Sequence, residues 1–141
     1  MKILSIDTSS ANCSVSICEV FGEEVNCIIE RNNSDEKTHS QKLMPLISEI
    51  FNECKISLDE IDLLVCCIGP GSFTGIRIGV ATVKAFADSR NIVTTGVTSL
   101  ESLAYNVTEN GYIIPIINAK NNNAYSSIFY NDKEEYASKS E

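Results

Sequence analysis

A glycine-rich segment between two apolar runs constrains the fold of this chain most strongly. It reads Gly69-Pro70-Gly71-Ser72-Phe73-Thr74-Gly75-Ile76-Arg77-Ile78-Gly79 and holds four of the chain's seven glycines. The run before it, residues 63–68, is typical of a buried strand, and the run after it, residues 74–89, of a helix. A strand, a glycine-rich turn and a helix predict an α/β fold. The glycine spacing matches neither the dinucleotide-binding pattern nor the P-loop pattern, so it does not by itself indicate a nucleotide site.

The first third of the chain predicts strands followed by a helix. Three short apolar or alternating runs favour an antiparallel meander, at residues 2–6, 13–18 and 25–29. Polar residues 31–37 predict a loop, and apolar spacing predicts a helix over residues 38–54. Pro45 lies inside that helix, so we expect either a helix start near Ser40 or a kink at residues 41–45.

The order of the predicted elements indicates a mixed sheet covered by helices. Two capping boxes, at residues 57–60 and 98–101, predict a helical turn before the fourth strand and a third helix after a strand at residues 92–97. Three strands and then alternating helices and strands favour an antiparallel side joined to parallel crossovers. Runs 113–119 and 125–130 predict one hairpin. We therefore divide the chain into a domain over residues 1–107, the start of a second subdomain over 108–131 and a charged tail over 132–141.

Charge and cysteine content limit the classes of function. The chain has 19 acidic and 11 basic residues and a formal net charge of -8. It has no basic cluster to neutralise phosphates, so any role with nucleic acid is expected to run through a partner. Six cysteines without a Cys-x-x-Cys pair favour buried thiols in a reducing cytoplasm, with disulfides or a metal site as alternatives. Neither a signal peptide nor a membrane span is predicted, so we expect a cytoplasmic protein.

Few residues indicate chemistry. His39 is the only histidine, which argues against a multi-histidine metal site, and we expect it to face solvent near a helix start. A hydrolase would need His39 beside Ser72 or a cysteine, an arrangement that the spacing does not support. We predict no catalytic residue, no metal and no cofactor.

The segment Asp7-Thr8-Ser9 after the first strand, together with the glycine-rich segment after the fourth, resembles the bacterial TsaB family, also called YeaZ. The resemblance implies the actin-like, ribonuclease-H-like fold. It also implies a non-catalytic subunit that supports the catalytic paralogue TsaD, with the ATPase TsaE, in threonylcarbamoylation of adenosine 37 in tRNAs reading codons that begin with A. The match weakens after residue 113, where Asn118-Ala119-Lys120 replaces the acid and arginine of the family, and the chain is shorter than full-length members.

The resemblance also places the partner interface on two helices, which form a bundle with TsaD or with a second copy. The corresponding residues here are Leu43, Leu46, Ile47, Ile50, Ile76, Gly79, Val80 and Val83. The small Gly75 and Gly79 are expected to let another helix come close. The alternative is that this apolar stripe is ordinary core. Charged substitutions at Ile47 and Val80 are expected to abolish association with TsaD and to leave the fold intact.

A phosphate or nucleotide site is a second hypothesis, because working actin-like ATPases place an acid and a glycine-rich turn after their first strand. The candidate residues are Asp7, Thr8, Ser9, Ser72, Thr74, Gly75 and Arg77. The structural alternatives are that Asp7 accepts local N–H bonds and that Ser72 or Thr74 caps the helix. The turn after the first strand has no glycine to close on a phosphate. The alternative function is therefore a small-molecule phosphotransferase or ATPase of the sugar-kinase type.

Overall fold

A five-stranded mixed sheet forms the centre of the molecule. The computed structural model describes residues 1–33 and 39–132. The sheet has the order β3-β2-β1-β4-β5, in which β1, β2 and β3 are antiparallel and β4 and β5 run parallel to β1. The strands are β1 (Lys2–Asp7), β2 (Cys13–Phe21), β3 (Glu24–Asn33), β4 (Leu63–Cys67) and β5 (Val93–Val97). This confirms the predicted antiparallel meander with parallel crossovers.

Two helices pack on the same face of this sheet. Helix α1 (His39–Cys54) lies on β2 and β3, and helix α2 (Phe73–Arg90) lies on β4, β1 and β5. Since successive strand residues point to opposite faces, Leu4 and Ile6 of β1 meet the helices, and Ser5 points the other way. One apolar core fills the space between helices and sheet, and its members are Leu4, Ile6, Cys13, Val15, Ile17, Ile29, Leu43, Leu46, Ile47, Ile50, Ile61, Leu64, Cys66 and Val83.

The helix ends follow the sequence signals closely. Among the described residues, helix α1 spans His39–Cys54, and Pro45 lies within it. Residue 38 lies outside the described residues, so the start near Ser40 stays a prediction. The predicted capping boxes are both present, at a 3-10 turn (Leu58–Glu60) and at helix α3 (Ser99–Tyr105). Strand β3 is longer than predicted and runs through Asn33, so part of the expected loop is strand. The rest of that loop, residues 34–38, lies outside the described residues.

The C-terminal part contains four short strands where the sequence predicted one hairpin. They are β6 (Gly111–Ile113), β7 (Ile116–Lys120), β8 (Asn123–Ser126) and β9 (Phe129–Asn131). Strand β7 pairs with β8 and β6 with β9, in two separate sheets. The predicted hairpin is present as β7–β8, but its strands are shorter than predicted. The first run is divided at Pro115, because proline lacks the N–H that a continuous strand needs. The predicted turn is present, with Asn121 and Asn122 in the left-handed region.

A second, smaller core joins this part to α3. Leu100 and Ala104 of α3 are buried against Phe129, and Ile113 and Ile117 pack on them. Strands β6, β7 and β9 therefore pack on α3 through this core. Of the predicted charged tail, Asp132 is described and residues 133–141 are outside the described residues. Within the described residues, no helix combines the length and apolar character that a membrane span requires.

Candidate functional site at the carboxyl ends of the parallel strands

The parallel strands β1, β4 and β5 end at one edge of the sheet, where loops in this kind of fold commonly build sites. A cleft of about 940 Å³ lies at this edge. Its lining comes from the turn after β1, the glycine-rich segment after β4, the start of α3 and the β7–β8 hairpin. The polar residues around it are Asp7, Ser9, Ser10, His39, Ser72, Thr74, Ser99, Ser102, Asn118, Lys120 and Tyr125.

The turn after β1 is held by its own side chains. The Asp7 carboxylate accepts a hydrogen bond of 2.8 Å from the Ser9 N–H, as the structural alternative for this residue predicts. The buried Thr8 hydroxyl donates to the Gly75 carbonyl at 2.7 Å. The Ser72 N–H donates to the Ser9 carbonyl at 2.6 Å. The first bond holds the turn in shape, and the other two join it to the start of α2.

Three glycines let α2 lie directly against this turn. A Cβ built on Gly71 would overlap the Ser9 carbonyl oxygen, and one on Gly75 would overlap the Thr8 carbonyl oxygen. On Gly79 the added atom would lie 2.5 Å from the Thr8 hydroxyl oxygen. The expectation that Gly75 and Gly79 admit a second helix is therefore wrong, because the chain's own turn fills the space beside both glycines.

The start of α2 is capped by Ser72, whose hydroxyl accepts from the Gly75 N–H at 3.2 Å. In the first turn of a helix, the amides of Phe73 and Thr74 have no carbonyl partner within the helix. Arg77 is not among the residues that line the cleft; its guanidinium carbon lies 5.3 Å from the centre of the ring of Phe73, which does line it. The predicted anion cluster is thus assembled in part, and its cation lies outside the lining.

Ser99 is a cleft residue that the sequence reasoning missed. It is buried at the start of α3, and its hydroxyl donates to the Ser9 hydroxyl at 3.2 Å. The Cys67 thiol lies 3.1 Å from the Ser99 hydroxyl oxygen. The Ser99 backbone N–H donates to the Gly69 carbonyl at 2.8 Å. The signal was available, since a capping box directly after β5 places the next residue at the sheet edge.

His39 and the β7–β8 hairpin also contribute to the cleft. The expectation that His39 faces solvent is wrong: it is half-buried, and its Nε2 lies 2.7 Å from the Ser10 carbonyl oxygen. Asn118, Lys120 and Tyr125 form part of the lining from the hairpin. Local sequence patterns do not predict that these three residues line the cleft, because a contact so distant in sequence depends on tertiary packing.

The thiols near the cleft are poor nucleophiles at neutral pH. Burial raises the pKa of Cys66 to about 11, and the neighbouring Cys67 and Asp7 charges add to the effect. Burial also raises the pKa of Cys13, with Asp7 as the second cause. Since the thiolate is the reactive form, neither side chain is set up for covalent catalysis. No cluster of three potential metal ligands occurs within residues 1–33 and 39–132.

Most of the predicted interface residues are core residues within this chain. Leu43, Leu46, Ile47, Ile50 and Val83 are buried against the sheet, and Gly79 packs on Thr8. In this structure these side chains therefore present little surface to a partner. Ile76 and Val80 remain partly exposed. The large exposed apolar side chains on the two helices are Met44, at 47% exposure, and Phe73, at 74%.

Comparison with known proteins places this arrangement in a family. The family model described as TsaD: tRNA N6-adenosine threonylcarbamoyltransferase matches residues 29–139. The tRNA threonylcarbamoyladenosine biosynthesis protein TsaB of Bacillus subtilis is 35% identical over 92% of this chain and 55% of its own length. The protein of that name from Haemophilus influenzae is 29% identical over 94% of this chain and 56% of its own length.

A solved structure shows the same fold. YeaZ from Pseudomonas aeruginosa superposes with a TM-score of 0.80 at 23% identity, over 98% of this chain and 64% of that one. The chain thus spans somewhat more than half the length of the relatives that it matches. The fold is the actin-like, ribonuclease-H-like α/β fold that the sequence resemblance implied. The chain belongs to the family described by the TsaD-type threonylcarbamoyltransferase model and, within it, to the TsaB (YeaZ) proteins.

Proposed function

We propose that this chain is a non-catalytic partner subunit in the formation of threonylcarbamoyladenosine at adenosine 37 of tRNAs that read codons beginning with A. Family membership supports the pathway, since relatives carry the name tRNA threonylcarbamoyladenosine biosynthesis protein. One observation carries the non-catalytic role: the polar groups after β1 and β4 are engaged in holding the loops. Asp7 supports the Ser9 amide, Thr8 supports the Gly75 carbonyl, and Ser72 caps α2.

The partner is a TsaD-type protein, and the docking surface is the outer face of α1 and α2. We define this outer face by four side chains that remain accessible beside the buried stripe: Met44, Phe73, Ile76 and Val80. Exposed apolar side chains on adjacent helices are typical of a helix-mediated interface. A homodimer through the same face is the expected state of the chain without its partner.

Contact with tRNA runs through the partners. A chain with a net charge of -8 repels the phosphate backbone, and binding to nucleic acid needs clustered cations to release counterions. The TsaD-type protein and the ATPase TsaE therefore supply the contacts to tRNA and ATP in this proposal. We place the assembly in the cytoplasm, where the tRNA substrate is.

Nucleoside analysis of tRNA in the native cell tests the pathway. Deleting the gene for this chain is expected to lower the threonylcarbamoyladenosine content of bulk tRNA severely, and an unchanged content would refute the proposal. Complementing the deletion strain with variants of this chain then distinguishes a scaffolding role from a catalytic role. The substitution Asp7→Asn removes the carboxylate charge and keeps an oxygen that accepts from the Ser9 N–H. It is expected to restore the modification fully.

Phosphate release from Mg-ATP addresses the alternative, a phosphotransferase or ATPase of the sugar-kinase type. The isolated chain is expected to show no turnover above a buffer control. Steady release that disappears in Asp7→Asn would favour the alternative and overturn the non-catalytic role. The thermal melting curve of the variant, matched to that of the parent, serves as the folding control.

A further inference from the structure

A pair of cysteines lies on neighbouring strands away from the cleft. Cys18 of β2 and Cys27 of β3 are direct partners in the antiparallel register, beside an irregularity between Ile17 and Cys18. Side chains of directly opposed residues point to the same face of a sheet. Cys27 is exposed and Cys18 is half-buried, and both are free thiols. The two sulfur atoms are thus brought together by the backbone pairing itself.

The geometry of this pair suits a covalent bond. Opposed residues in antiparallel strands have Cα atoms about 4.5–5.5 Å apart. Disulfides span Cα separations of roughly 4.4–6.8 Å, so the backbone needs little movement. Burial, as the largest cause, and then the charge of the neighbouring Cys27 raise the pKa of Cys18, which agrees with two thiols that lie side by side on the paired strands. The neighbouring Glu30 carboxylate acts in the same direction.

We propose that Cys18 and Cys27 form an oxidative modification site, at which a hydroperoxide converts the two thiols into an intramolecular cross-strand disulfide. The exposed Cys27 thiolate attacks the peroxide oxygen, which yields a sulfenic acid on Cys27 and releases one alcohol, or water from hydrogen peroxide. The Cys18 sulfur then attacks the Cys27 sulfur, the new S–S bond forms, and the sulfenic oxygen leaves as water. Two thiols are oxidised and one peroxide is reduced, so atoms and electrons balance.

The division of roles follows from exposure. Cys27 meets the oxidant first because it is the one exposed cysteine among the six. Cys18 is the resolving cysteine, protected until its partner is oxidised. The remaining four cysteines do not qualify: Cys13, Cys66 and Cys67 are buried, and Cys54 is half-buried against the core. A thiol reductant reverses the reaction, which fits a protein of a reducing compartment. The bond would join the edge strand β3 to its neighbour β2.

Hydrogen peroxide treatment of the purified reduced chain tests the site. We expect a mass loss of two hydrogens, a peptide that links Cys18 to Cys27, and full reversal by a thiol reductant. The variant Cys18→Ser is expected to retain the sulfenic acid on Cys27, which a dimedone-type reagent captures. The variant Cys27→Ser is expected to form no internal disulfide. The matched control Cys54→Ser removes a half-buried cysteine of α1 and is expected to behave as the parent.

Two results would overturn the proposal. The first is a parent chain whose Cys18 and Cys27 both remain open to alkylation after treatment that captures Cys27 in the Cys18→Ser variant. The second is a disulfide between two molecules in place of the internal bond, which non-reducing electrophoresis separates by size. Circular dichroism of each variant before oxidation confirms that the fold is retained, because both substitutions exchange sulfur for oxygen at accessible positions.

Discussion

The inner and outer faces of α1 and α2 look alike in sequence and differ in structure. On the inner face, Ile47 is 2% exposed and packs on the sheet, and Gly75 rests on the turn after β1. On the outer face, Met44 and Phe73 are open to solvent. An apolar stripe at helical spacing therefore identifies the core first. The proposed docking surface consists of the apolar residues that remain exposed once the core is formed.

The largest effect is expected from a charge on the inner face. Ile47→Asp places a carboxylate in the core without a partner, and we expect a loss of more than about 4 kcal/mol in the free energy of unfolding. Circular dichroism should show no cooperative thermal transition. Met44→Asp, three positions earlier on the same helix, is expected to change the stability by about 0.5–1 kcal/mol. Equal losses in the two variants would break the distinction between the faces.

A glycine substitution tests the contact between α2 and the turn after β1. Gly75→Ala forces the Thr8 carbonyl away, and we expect a loss of about 3 kcal/mol, measured by urea denaturation. Gly22→Ala is the matched control, because its added Cβ meets nothing within 4 Å. Its positive φ alone should cost about 1 kcal/mol. A smaller loss for Gly75→Ala than for the control would contradict the packing described here.

Removing the cap at the start of α2 should lower the free energy of unfolding by a moderate amount. Ser72→Ala removes the oxygen that accepts from the Gly75 N–H, and we expect a loss of about 1 kcal/mol. Thr74→Ala lies in the same turn and removes no cap, so its expected change is within about 0.5 kcal/mol. The pair of melting temperatures measures the difference. If Thr74→Ala were the more harmful, the cap would be assigned to the wrong hydroxyl.

The smallest effect on stability is expected at the start of α3, which lies outside both faces of α1 and α2. It measures what the capping box at a helix start contributes by itself. The Thr98 backbone N–H, followed by the Thr98 hydroxyl, lowers the pKa of Glu101. A depressed carboxyl pKa stabilises the fold above the ordinary value of about 4.3, and this stability is lost as the pH falls through the folded-state pKa. Glu101→Gln should flatten the stability profile below about pH 4.5. An unaltered profile would contradict the role of the capping box.

The sequence predicted the elements that local patterns determine. The alternation of β1 and β2, the two capping boxes and the turn at Asn121 were all readable because neighbours in sequence create them. The assignment of the glycines failed, since their neighbours Thr8 and Ser9 are about 65 residues away. The cleft residues Lys120 and Tyr125 were missed for the same reason. Packing in three dimensions also decides which apolar side chains of a helix stay exposed to solvent. The periodicity of apolar residues in the sequence does not contain that information.

The most direct test of the account is a calorimetric titration of the purified chain into the TsaD-type protein of the same organism. Phe73→Asp places an acid in the first turn of α2, which tolerates it, and charges the outer face. Val25→Asp is the matched control, because Val25 is 66% exposed on β3, away from both helices. We predict that the parent and Val25→Asp bind alike and that Phe73→Asp binds at least about tenfold more weakly, a difference of roughly 1.4 kcal/mol. Equal binding of all three folded proteins would contradict the proposed docking face.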